Sequence, residues 1–100
     1  MQVHYLKTWP EYYRAVVSGA KKVEIRKDDR GFQVDDILRL EEYDIEKKEY
    51  TGACFTVKVT HILRDQPWVP EGYVAMSISP IYVDESTAYG NDCRDGKCEM

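Results

Sequence analysis

Apolar and polar positions along the chain follow three rhythms, and each predicts a different element. Val3 to Leu6 is a short mixed stretch that reads as a first strand. From Trp9 the apolar positions Trp9, Tyr12, Tyr13, Val16 and Val17 recur at helical spacing. Thr8 stands where an N-cap belongs, and Glu11, three residues on, completes a capping box. Pro10 suits a first turn, where its missing N–H costs nothing. Gly19 is placed for the left-handed residue that ends a helix. A helix of about ten residues is marginal alone, so its aromatic stripe is expected to pack on a sheet as core.

The rhythm then changes to period two. In Lys22–Lys27, Val23 and Ile25 are predicted on the core face, with Lys22, Glu24 and Arg26 opposite. Asp28-Asp29-Arg30-Gly31 has turn composition, Phe32 and Val34 return to the core, and Asp35-Asp36 makes another turn. Ile37 to Tyr43 is a strand. Asp44 to Glu49 reads as a hairpin connection without an Asn-Gly signature, and Thr51-Gly52 prolongs it. Cys54 to Leu63 gives the longest strand signal, with Phe55, Val57 and Val59 on one face and Thr56, Lys58 and Thr60 on the other. Arg64 to Gly72 is a loop in which Trp68, between Pro67 and Pro70, either plugs a barrel end or offers a stacking surface. Tyr73 to Ser79 is the last strand, ending at Pro80.

Strand, helix, then four or five strands predict an α+β fold, a small mixed β pseudo-barrel capped by one N-terminal helix. Residues 1–83 form the domain, and residues 84–100 form a polar, flexible tail. Helices do not alternate with strands, so this is not a Rossmann fold. Neither GxGxxG nor GxxxxGK[ST] occurs, so no nucleotide cofactor, kinase or GTPase chemistry is indicated.

Composition narrows the function. One hundred residues leave room for one core. A formal net charge of −4 argues against a general duplex-DNA binder, whose affinity comes mostly from phosphate neutralisation. The charge is uneven, with −3 in residues 84–100 and −1 in the rest. Eight Tyr against two Phe predict a half-wet core surface or a tyrosine-lined cleft. No apolar run reaches membrane-spanning length, and the N-terminus lacks a secretory pattern. Cys54, Cys93 and Cys98 then read as free thiols of a cytoplasmic protein. Cys93 and Cys98 supply too thin a ligand set for structural zinc.

The chemistry concentrates in Lys21 to Arg30, where five basic groups and three acids fall together. Glu24 and Arg26, two apart on a strand, point the same way, and Lys21 lies where the helix turns into that strand. A solvated face of weak ion pairs accounts for such a run; so does a site. For binding, Lys21, Arg26, Lys27 and Arg30 meet phosphate, and Glu24 accepts from an exocyclic amino group. Trp9, Phe32 or Trp68 stacks a base. For hydrolysis, Lys21 or Glu24 is the candidate base, with Lys21 or Arg26 on the developing negative charge. For RNA cleavage, His4 with Lys7 or Arg30 moves protons and holds phosphate, although a lone His on a first strand is more often structural.

Gly19-x-Lys21-x-x-Glu24-x-Arg26 resembles the G-x-K-x-x-E-x-R signature of ASCH domains, relatives of the RNA-binding PUA fold. His4-Tyr5-Leu6-Lys7, Trp9-Pro10, Asp29-Arg30, Phe32-Gln33-Val34 and Gly72-Tyr73-Val74 extend the likeness to a small family common in phages and bacterial genomes. The resemblance covers residues 3 to about 79. Asp35 departs, since a Gly commonly precedes the Asp of this turn. The resemblance implies a PUA-like pseudo-barrel whose helix and motif strand border a cleft for RNA or nucleotides. The expected ligand is single-stranded RNA or a nucleotide, held by His4, Lys7, Trp9, Lys21, Glu24, Arg26, Lys27, Arg30 and Trp68. Some relatives are amidohydrolases of N4-acetylcytidine, and some have been described as ribonucleases. In the amidohydrolase branch a Thr stands at the position of Glu24, beside a Lys matching Lys21 and a distant Glu, for which Glu71 is the candidate here. A phage-type protein-interaction module is the third expectation.

Overall fold

The computed structural model of the chain describes residues 1–81. Its elements run β1 (Val3–Thr8), α1 (Pro10–Ser18), β2 (Val23–Lys27), β3 (Ile37–Asp44), β4 (Glu49–Leu63) and β5 (Tyr73–Pro80). The five strands make one sheet in the order β1-β3-β4-β5-β2. β1 runs parallel to β3, and every other pair is antiparallel. Register shifts between Glu41 and Tyr43 and between Val59 and His61 interrupt the ladders of β4. Such irregularities bend strands and raise their twist. The sheet curls into a half-barrel, with β1 and β2 as its edges and α1 against β3.

Alternation explains the core. Leu6, Leu38, Leu40, Val57, Val59, Val74, Met76 and Ile78 take inward positions on their strands, and Phe32 and Val16 close the cluster. Full burial of side chains this size stabilises by roughly 1.5–3 kcal/mol each before entropy is counted. One polar pair lies among them. His4 Nε2 and Asp36 Oδ2 are 2.8 Å apart, and the remaining capacity of the carboxylate takes the backbone N–H groups of Gln2 and Gln33. Burial works to raise the pKa of Asp36, but the hydrogen bonds from His4, Gln2 and Gln33 outweigh it and hold the carboxyl below its ordinary value. The pair ties β1 to the turn that starts β3.

The helix begins without the expected box. Thr8 belongs to β1, its hydroxyl donates to the Leu6 carbonyl, and Trp9 occupies the N-cap with no side-chain bond. Pro10, fixed near helical φ, starts α1 instead. Gly19 ends it as expected, at φ 89°, with its N–H on the Val16 carbonyl. The apolar stripe splits. Val16 is buried and Tyr13 packs against the core, whereas Trp9, Tyr12 and Val17 are about half exposed. Burial, with the nearby Cys54 and Glu42, pushes the Tyr13 hydroxyl up to about 12.

Four further expectations are corrected. Val23 and Ile25 face outward, and Glu24 and Arg26 turn inward beside Met76 and Val74, their register partners on β5. Val34 is exposed in the turn before β3, where no neighbouring strand covers it. Thr51 and Gly52 lie within β4, because the hairpin closes earlier, where the Asp44 carboxylate accepts from the N–H groups of Glu46 and Lys47. Trp68, 77% exposed, plugs nothing, and its neighbour Val69 is the buried residue of that loop. The expected tail 84–100 and the Cys93 and Cys98 thiols lie outside the described residues. No described helix is long and apolar enough to cross a membrane.

Candidate functional site

The left-handed turn at Gly19 sets the position of Lys21. Just beyond it the Lys21 N–H bonds the Ala15 carbonyl, which folds the chain back against the helix end. The side chain then reaches into β2, where Nζ lies 2.6 Å from the Val23 carbonyl and 3.1 Å from Glu24 Oε1. Two residues along the strand, Arg26 Nε donates to Glu24 Oε2 at 2.6 Å. The guanidinium continues across the open side of the half-barrel to the Lys7 carbonyl, at 2.8 Å, and the Thr8 hydroxyl, at 3.5 Å. The spacing G-x-K-x-x-E-x-R is thus a geometric device. The Gly reverses the chain, the Lys comes back onto the strand, and Glu and Arg share one strand face.

Glu24 is 4% exposed, and each of its oxygens holds one cation. Taking a carboxylate out of water is costly unless it is paired and hydrogen-bonded, and two charge-assisted bonds offset that cost here. Lys21 and Arg26 are each 27% exposed, so solvent screens the cations more than the acid. Each oxygen accepts one charge-assisted hydrogen bond, and the arrangement fixes the orientation of all three side chains.

Above this triad lies a cleft of about 450 Å³, within the range of small-ligand sites. Lys7 and Thr8 of β1 border one side, and Val23 and Ile25 flank the triad on β2. Trp9, the N-cap of α1, and Tyr12 in its first turn form the third wall, their rings stacked at 20° with centroids 6.1 Å apart. Both rings are about half exposed. The Lys21 ammonium lies 6.0 Å from the Tyr12 ring, and the Lys7 ammonium rests 4.2 Å over Tyr43.

Of the residues expected at the site, Lys7, Trp9, Lys21, Glu24 and Arg26 come together at this cleft. His4 does not, being buried in its pair with Asp36 and packed 4.7 Å from the Phe32 ring. Phe32, 1% exposed, is core and offers no stacking face. Arg30 donates to the Tyr5 carbonyl on the edge of β1, and Lys27, at the end of β2, faces outward. Trp68 lies in the β4–β5 loop outside the cleft, and Glu71 borders a separate surface hollow with Asp28 and Arg64. Thr8 and Tyr12 are cleft residues that the periodicity assigned to a cap and to the core. The signal for Tyr12 was its i, i+3 relation to Trp9, which places two large rings on one flank. No group of three or more metal-ligating side chains occurs among the described residues.

Residues 3–78 match the family model described as a domain of unknown function, DUF3850. No curated protein matches the chain.

Proposed function

The chain belongs to the DUF3850 family, and we propose that it binds one nucleotide, free or extruded from single-stranded RNA, in the cleft between α1, β1 and β2. The observation that carries this reading is a half-exposed, mutually stacked Trp9–Tyr12 pair in a cleft also lined by three basic residues and one buried carboxylate. A base offers a flat π-face to such aromatics, worth roughly 1–3 kcal/mol per stacked base. Lys21, Arg26 and Lys7 supply positive charge for a phosphate. Glu24, oriented by Lys21 and Arg26, lines the cleft and is the acceptor assigned to an exocyclic N–H donor. The local charge also suits a small anionic ligand better than a duplex, since the chain as a whole is acidic.

The motif residues Gly19, Lys21, Glu24 and Arg26 all contribute to this one cleft or to its geometry. Their convergence supports assigning the half-barrel to the ASCH type of the PUA-like folds. The test is an amide-shift NMR titration of the full chain with the four ribonucleoside monophosphates, with cytidine and N4-acetylcytidine in parallel. Shifts confined to residues 7–12 and 21–26, weakened about tenfold or more by Trp9→Ala, are expected. No shift there at millimolar ligand overturns the reading and points to a protein partner. Turnover of N4-acetylcytidine replaces it with a hydrolase.

A further inference from the structure

The cleft is not isolated. Lys21 also borders a second hollow of about 240 Å³, on the other side of the turn at Gly19. Val16, Val57 and Ile78 give that hollow an apolar base, and Lys22 and Ser79 stand at its polar side. It is smaller than the ~300 Å³ at which stand-alone ligand sites begin, so it makes sense as an extension of the first. Tyr12 borders the first hollow and Val16 the second. They sit four residues apart on α1, a rise of about 6 Å, so successive turns of the same helix line the two hollows and Lys21 stands between them.

Charge follows the same line. Lys7, Arg26, Lys21 and Lys22 run along the two hollows against the single carboxylate of Glu24, on a chain whose formal net charge is −4. Lys7, Lys21 and Arg26 already have partners in Tyr43, Glu24 and the β1 backbone. Lys22 is exposed and makes no ion pair among the described residues, while its carbonyl pairs with the Ile78 N–H and fixes the main chain. Its ammonium is therefore available at the boundary of the second hollow.

We infer that the groove holds a strand of at least two nucleotides, with one base against Trp9 and Tyr12, the linking phosphate near Lys21 and Lys22, and the neighbouring unit over Val16 and Ile78. This inference rests on the nucleotide reading of the cleft and sharpens it from a free nucleotide to single-stranded RNA.

The experiment compares, by calorimetric titration of the full chain, the ribonucleoside monophosphates with a random-sequence RNA hexamer at several salt concentrations. The hexamer is expected to bind at least tenfold tighter than the best monophosphate. Lys22→Gln, an exposed position, is expected to lower the salt slope of hexamer binding by ~0.7, about fivefold in affinity at 0.1 M salt relative to 1 M. Monophosphate affinity is expected to fall by a smaller factor than hexamer affinity. Ser79→Tyr, which fills the second hollow from an exposed position, is expected to remove the hexamer's advantage in a protein of unaltered circular dichroism. Equal affinity for monophosphate and hexamer, or equal losses for both in Lys22→Gln, overturns the second subsite and leaves the first standing. Absence of binding by every probe overturns the nucleotide reading and this inference together.

Discussion

Glu24 shows how one residue carries both stability and recognition. Its carboxylate is nearly inaccessible and accepts from two cations, of which Lys21 also donates to the Val23 carbonyl and Arg26 to the Lys7 carbonyl. Glu24→Gln keeps the shape but removes the charge, leaving Lys21 and Arg26 paired with a weaker acceptor. Because both cations are partly exposed, the expected loss is about 1–2 kcal/mol rather than the larger cost of breaking a fully buried pair. Urea denaturation of the variant at neutral pH measures it. Asp36 is the second residue of this kind. Its folded-state pKa lies below the ordinary 3.8, so the unfolded chain binds its proton first on acidification. The stabilisation is complete above about pH 4 and is lost as the pH falls through the folded-state value. Asp36→Asn is expected to cost about 1–3 kcal/mol at pH 7. The gap between wild type and variant closes as urea midpoints are followed from pH 5 down to pH 2, and a gap that stays constant would falsify this role.

At the scale of elements, β2 separates what the sequence makes legible from what it does not. Its existence, its period and the common face of Glu24 and Arg26 follow from alternation alone. Its orientation does not, because alternation shows that two faces differ but not which one turns inward. Hydrophobicity favours Val23 and Ile25, yet the strand forms one edge of a half-barrel, and Arg26 on its charged face reaches across the open side to β1. The long-range contacts of Arg26 with Lys7 and Thr8, eighteen or more residues away, decide the matter, and no local pattern contains them. Thr8 is misread for a related reason. A Thr three residues before Glu fits a capping box, but parallel pairing of β1 with β3 extends the strand through Thr8. Where hydrophobic faces meet across registered strands, as for Leu38, Leu40, Val57 and Val59, sequence and structure agree. The consequence is measurable. Ile25→Thr, at a position 59% exposed, is expected to change stability by less than about 0.5 kcal/mol. Leu40→Ala, fully buried, is expected to cost about 2–5 kcal/mol. Thermal melts of the two variants side by side distinguish an outward Ile25 from an inward one.

On the scale of the whole molecule, the half-barrel is drawn together across its open side by two guanidinium groups. Arg26 bonds the Lys7 carbonyl and Arg30 the Tyr5 carbonyl. Tyr5 and Lys7 are two apart on β1, so both carbonyls point to the same margin of the strand. Amide hydrogen exchange in β1 is expected to rise in Arg26→Gln, with β4 and β5 little changed, because the latch acts on one margin of the sheet. The same two contacts bear on how copies of the protein behave in a crowded solution. A strand at the margin of a sheet is a template on which another molecule can extend the ladder and begin an aggregate. Here two of the acceptors such a neighbour needs are occupied by charged groups that also repel an approaching copy. Replacing both arginines with glutamine is expected to bring concentration-dependent light scattering at temperatures where the wild-type protein stays monodisperse.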